Sequence, residues 1–242
     1  INSNFLKKQS AAVICANLTP ETKNRPALLS HNEVQTLFHE FGHLLHHICG
    51  KVQIRSLNGT NVAWDFVELP SQLMENWCWE KESLCKFAIH YKTKANIPKK
   101  LLNNLIKSKN HLQAICIIRQ LNLSKMDLLL HSDWPKSKQK NLDKYLSIKL
   151  KKYLIKFKRQ PLPITYNFNH LFGDPIGYAS GYYSYKWSEV LEADIFNLFK
   201  EKGLKNKKLG IRFRKKILEK GNSETPSKLF YDFIKRKPDI NS

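Results

Sequence analysis

His39-Glu40-Phe41-Gly42-His43 decides the reading of this chain. On a helix it sets two imidazoles one turn apart on one face, with a carboxylate beside them, which is the spacing of a zinc site that carries its own general base. The flanks supply the helix. Ser30 followed by Glu33 has the form of a capping box, and Gly50 provides a stop after Cys49. Between them Val34, Leu37, Phe38, Phe41, Leu44, Leu45 and Ile48 recur at helical spacing, so one face is predicted to be buried while His39 and His43 project from a neighbouring edge.

Zinc held by two imidazoles takes one more protein ligand and leaves a position open for water. Two residues compete for that role. His46 lies nearly on the same face as His39 and His43, but a third ligand on one straight helix closes a tetrahedron poorly. Glu68 comes from a separate segment, beyond a connection through Asn58-Gly59-Thr60 that can turn the chain back, and is the expected third ligand. In Trp64-Asp65-Phe66-Val67-Glu68-Leu69-Pro70-Ser71-Gln72, Asp65 can cap a second helix, and Pro70 predicts that this helix begins near Glu68. His46 is then left to support the ligands or line the pocket.

Downstream, Tyr178, Tyr182 and Tyr185 are spaced as one stripe of a helix, with Gly173, Gly177 and Gly181 interleaved. Glycines allow the backbone to bend and approach a ligand, so a tyrosine-lined substrate wall is predicted here; the alternative is a packed core stripe. Ala11 to Leu18 is a short apolar run compatible with a strand, either buried or offering an edge to which an extended peptide could add. Few other segments have β character.

Helices are predicted over Ser71 to Ile89, after Pro98, over Leu112 to Leu130, over Lys138 to Phe157, over Tyr178 to Lys202 after a loop marked by Pro161 and Pro163, through a basic segment ending near Gly221, and after Pro226. The expected fold class is mainly α, a multi-helical zincin-like lobe with a small β element near the site, formed by residues 1–242 as a single domain.

Three blocks, LLSHNEVQTLFHEFGHLLHH, WDFVELPSQLMENWCWE and YASGYYSYKWSEVLEADIF, occur in an order that resembles the M3 metallopeptidases, and the resemblance covers essentially the whole chain. It implies one zinc ion per chain on His39, His43 and Glu68, and Glu40 as the catalytic glutamate. It also points to a downstream set, His170, Tyr178, Tyr182 and Tyr185. Of these, His170, Tyr182 and Tyr185 are expected to be catalytic, and Tyr178, together with Gly177 and Gly181 beside it, to bind substrate. The stretch from Leu171 to Tyr178 is longer than the family's short Gly-Gly-Tyr turn. Short peptides are the implied substrates. Family members are longer, with helical structure upstream of this C-terminal catalytic portion, and Ile1 in place of Met suggests a chain that begins inside a longer one.

The formal net charge is +21, from 41 Lys and Arg against 20 Asp and Glu. Such a balance permits contact with nucleic acid. The basic runs Lys138 to Lys158 and Lys205 to Lys220 carry apolar residues at helical spacing, however, and no base-reading motif accompanies them. They are expected to be solvated helix faces, with no nucleic-acid or membrane partner. A basic helical nucleic-acid module, or a truncated chain that binds zinc without catalysis, are the alternatives to a peptidase. Cys15, Cys49, Cys78, Cys85 and Cys116 form no C-x-x-C pair and leave one unpaired, which suits a reducing compartment, so the cytoplasm is expected. No apolar run has the length of a membrane helix.

Overall fold

The computed structural model describes residues 10–155, 157–159 and 162–240. Ile1, and Pro161 of the proline-marked loop, lie outside these. The fold is multi-helical and mainly α. Two compact units form: residues up to Lys107 together with those from Trp187 onward make the first, and Ser108 to Lys186 the second.

In the first unit, α1 (His31–Cys49) opens on the expected capping box: the Ser30 hydroxyl accepts from Glu33 N at 3.3 Å, and the Glu33 carboxylate accepts from Ser30 N at 2.7 Å. The same carboxylate accepts from the Thr19 hydroxyl at 2.6 Å, fixing the preceding segment to the helix start. Helix α2 runs from Trp64 to Glu75. It begins before Glu68, with Pro70 inside it and Asp65 in its first turn, where Asp65 makes no cap. An interior proline costs about 3 kcal/mol. Phe66, Leu69 and Leu73 are almost completely buried on one face of α2, and their packing outweighs that cost.

The segment expected to continue from Ser71 to Ile89 breaks into α2, a 3-10 turn over Asn76–Trp79, and α3 (Lys81–Phe87). Helix α4 (Lys99–Ser108) follows Pro98 as predicted. The second unit holds α5 (Gln113–Leu128), which passes into a π turn over Leu129–Asp133, then α6 (Leu142–Lys149), shorter than its predicted span, and α7 (Asn169–Phe172). Helix α8 (Ser184–Lys202) crosses the boundary between the units in sequence. It is followed by α9 (Lys207–Lys216), then by α10 (Pro226–Ile234) with Thr225 as its cap.

The core of the first unit joins Phe66, Leu69 and Leu73 of α2 to Ile195 and Phe199 of α8, Phe213 of α9 and Phe230 and Phe233 of α10. Trp77 sets its ring edge-on to Phe196 and Phe199, with centroids 5.0 and 5.2 Å away. Buried Asp194 holds the C-terminal segment by accepting from the Arg236 guanidinium and from Asp239 N. The second core gathers Leu123, Met126 and Leu130 with Tyr145, Leu146, Phe168 and Leu171.

The predicted strand over Ala11 to Leu18 does not form. Among the described residues only the isolated bridges Thr22–Arg25 and Ile89–Asn96 occur, and Val13 is 94% exposed. A short apolar run becomes a strand only with a partner edge and a face to bury, and this one has neither. No helix among the described residues is long and apolar enough to cross a membrane.

Helices α1 and α2 form the most closely packed pair in the fold. Gly42 makes this possible: a Cβ there would lie 2.5 Å from Ser71 Cα and 2.6 Å from the Pro70 carbonyl oxygen. Backbone cannot yield as a side chain does, so Gly42→Ala is expected to lower unfolding stability by about 1–3 kcal/mol, read from urea or thermal denaturation. A milder effect is expected at Glu33, whose carboxylate the Thr19 hydroxyl and the Ser30 amide hold down to about 2. With a folded-state pKa below the ordinary value near 4.5, its link to Thr19 is fully in place above pH 4.5 and is lost as pH falls through about 2. Glu33→Gln should therefore speed hydrogen exchange at the Thr19 amide at neutral pH, while leaving the exchange of α10 unchanged.

Candidate metal centre

The backbone contact at Gly42 brings α2 close enough for Glu68 to reach both histidines of α1. Glu68 Oε2 lies 3.2 Å from His39 Nε2 and 3.2 Å from His43 Nε2. The two imidazoles meet edge-on, with centroids 4.9 Å apart, and one ligand atom from each of the three residues falls within 4.8 Å of the others. A tetrahedral zinc ion at 2.0–2.1 Å from its donors spaces them roughly 3.3 Å apart, and the two nitrogen–oxygen separations match that spacing. Glu68 is buried while both histidines remain partly open. Its Oε2 also accepts from the Ser71 hydroxyl at 2.8 Å.

Two carboxylates bracket His39. Glu75 Oε1 lies 2.6 Å from His39 Nδ1, and the Gln35 amide donates to the other Glu75 oxygen. A proton on Nδ1 is thereby directed to Glu75, leaving Nε2 facing Glu68 and His43. Burial pulls the His39 pKa down, but the hydrogen bonds to Glu68 and Glu75 push it up to about 10. Burial likewise pushes the Glu68 carboxyl up, yet the two imidazoles hold it well below the usual carboxylate range. The site is thus built to concentrate negative charge on a cation placed between these groups.

Glu75 was not singled out from the sequence. It lies two helical turns past Glu68 on the same face of α2, and that spacing was the available signal.

Glu40 follows His39 on α1 and, with His39 and Glu75, lines a cleft of about 430 Å3 beside the ligand cluster, bounded also by Asn32, Gln35 and Thr36. His46 stands outside the ligand cluster. It is completely buried, neither ring nitrogen has a hydrogen-bond partner among the described residues, and burial lowers its pKa to about 3. A neutral core imidazole is what those surroundings hold.

Within the second unit, the structure brings together His170, Tyr178, Tyr182 and Tyr185. Tyr178 stacks on Tyr185 with centroids 5.4 Å apart, Tyr182 lies 5.2 Å from Tyr185, and the His170 ring is 5.8 Å from Tyr178 and 6.0 Å from Tyr182. The tyrosines do not form a helical stripe, because α8 begins only at Ser184 and Tyr178 and Tyr182 sit in successive turns. Gly177 takes a left-handed φ of +44°, its amide held by Asp174 Oδ1 at 3.0 Å; the next left-handed residue is Ser180, at +59°, and not Gly181. Burial raises the pKa of Tyr182 further above its ordinary value near 10, so its phenol keeps its proton.

The family model described as "Peptidase family M3" matches residues 2–242. "Oligopeptidase A" of Haemophilus influenzae is 43% identical over 236 residues, covering 96% of this chain and 34% of that protein. The oligopeptidase A proteins of Salmonella typhimurium and Escherichia coli are each 41% identical, covering 98% of this chain and 35% of their own length. The chain therefore spans about a third of the length of these relatives. With its histidines, glutamates and tyrosines grouped as described and a family match across nearly its full extent, this chain belongs to peptidase family M3.

Proposed function

We propose that the chain is the metal-binding catalytic portion of a zinc-dependent endopeptidase acting on short peptides in the cytoplasm. The convergence of His39, His43 and Glu68, with Glu40 lining the adjoining cleft, is the observation that carries this reading. Family membership and the similarity to oligopeptidase A support the peptide substrate, and free thiols at all five cysteines support the compartment.

One zinc ion, held by His39 Nε2, His43 Nε2 and the Glu68 carboxylate, would supply Lewis acidity towards a peptide carbonyl and the water that attacks it. Glu40 takes a proton from that water and returns it to the departing amine, the ordinary cycle of a carboxylate base beside the reacting bond. Glu75, by holding the Nδ1 proton of His39, keeps the ring turned so that Nε2 remains a donor atom for the ion. Protonated phenols at Tyr185 and Tyr182 serve as hydrogen-bond donors to the substrate's carbonyl oxygen, with His170 alongside, and Tyr178 with Gly177 and Gly181 binds the peptide. The family resemblance and the clustering of these side chains support those assignments.

A second reading is favoured by one fact, that the relatives are about three times as long. In it, the chain binds zinc but does not cleave peptides without further polypeptide. Cleavage of a fluorogenic peptide by the purified chain, abolished by phenanthroline and restored by zinc, is the outcome expected of the peptidase. Stoichiometric zinc with no cleavage would establish the second reading, and failure to bind zinc would overturn both.

Glu40→Gln is expected to retain one zinc per chain and to cleave no peptide; measurable turnover by this variant would remove Glu40 from the role of base. Glu75→Ala is expected to weaken zinc about 10–100-fold in competition with a chelator of known affinity, while His39 and His43 remain in place.

A further inference from the structure

We propose that Asp127 is a positioning residue that holds the tyrosine turn in the arrangement its phenols need; the inference rests on the assignment of those phenols to substrate. Asp127 lies near the end of α5 and is fully buried, at 0% exposure. Its two oxygens diverge onto two amides of a segment more than fifty residues away in sequence: Oδ1 accepts from Ser180 N at 2.8 Å and Oδ2 from Tyr182 N at 2.9 Å. These are the amides on either side of Gly181. In a helix interior both would point along the axis towards carbonyls four residues earlier; here both are turned onto one carboxylate.

The chain leaves helical geometry at Ser180, a residue with a side chain held at φ +59°. Only Gly adopts the left-handed region without penalty, so a serine there persists because its surroundings impose the conformation. The carboxylate provides that constraint, and the Tyr182 ring then seats edge-on to Phe168 at 5.0 Å, while Tyr178 stacks on Tyr185.

The same carboxylate reaches towards His170. Asp127 Oδ1 and the Asp127 carbonyl oxygen accept from His131 Nδ1 at 2.8 and 2.9 Å, and the His131 ring stacks on Phe172. Phe172 closes α7, the short helix that carries His170. One buried acid therefore braces both the turn bearing Tyr178 and Tyr182 and the element bearing His170. No neutral side chain of the same size does this. Asparagine has one acceptor oxygen, and when it serves Ser180 N and His131 Nδ1 its NH2 group is set against the Tyr182 amide.

The test is Asp127→Asn in the full 242-residue chain loaded with zinc, read by amide hydrogen exchange and by peptide cleavage. The variant is expected to bind zinc with unchanged affinity, to show exchange at the Tyr182 amide accelerated at least about tenfold, and to lose about a hundredfold in kcat, with a rise in KM as the peptide-binding residues of the same turn shift with it. Ser180→Gly, which removes the conformational cost of the turn, should restore part of that kcat when combined with Asp127→Asn. An unchanged kcat in the zinc-loaded variant, or continued protection of the Tyr182 amide, would overturn the proposal.

Should Asp127→Asn fail to fold, the wild-type chain still decides. The Ser180 and Tyr182 amides must then stand out as slowly exchanging within a turn that has no regular hydrogen-bond ladder, and rapid exchange at both overturns the inference. Absence of cleavage by the wild-type chain would count against the peptidase assignment and leave the exchange result standing as the measure of the clamp.

Discussion

The contact of α1 with α2 at Gly42 is the constraint on which the first unit depends. Two helices whose backbones meet can bring side chains from opposite axes to within ligand distance of one another, whereas helices separated by ordinary side chains stand 8–10 Å apart. Here the missing Cβ of Gly42 admits the backbone of Pro70 and Ser71, and Glu68, less than one turn earlier on α2, falls between His39 and His43. Pro70 belongs to the same device. Its place inside α2 is costly as local structure and is retained because the buried face of Phe66, Leu69 and Leu73 holds that helix against α8.

Electrostatics then does what packing alone cannot. The chain is strongly basic, yet Glu68 sits against both imidazoles, Glu75 against that of His39, and Glu40 lines the adjoining cleft. Burying Glu68 is unfavourable in isolation, and it is tolerated because its charge is met by both histidines and the Ser71 hydroxyl. A dication at that point would answer the same charges more completely than a proton on His39, which is why the arrangement suits a metal rather than a structural ion pair.

The tyrosine cluster obeys a different rule. Two of its members, Tyr178 and Tyr182, are set by turns, and turns are held by whatever accepts the amides that a helix would otherwise use. Asp127 fills that role from a distant helix, and its isolation as an acid among Leu123, Met126 and Leu130 is the trace that this leaves in the sequence.

Local pattern alone determined α1, from the capping box at Ser30 to the stop at Gly50, and placed His39, Glu40 and His43 on one side of it, because helical periodicity and capping act over a few residues. It also marked α4 after Pro98 and α10 after Pro226, and made Glu68 the expected partner of the two histidines. Only the tertiary structure decided that α2 would begin at Trp64 despite Pro70, that Ala11 to Leu18 would find no strand partner, that Tyr178 and Tyr182 would lie in turns, and that Glu75 and Asp127 would matter. Each of these turns on a contact between residues far apart in the chain: a core face that outweighs a proline, an edge that does not arrive, a carboxylate that captures remote amides. Spacing along one segment carries no record of which distant group will be its neighbour.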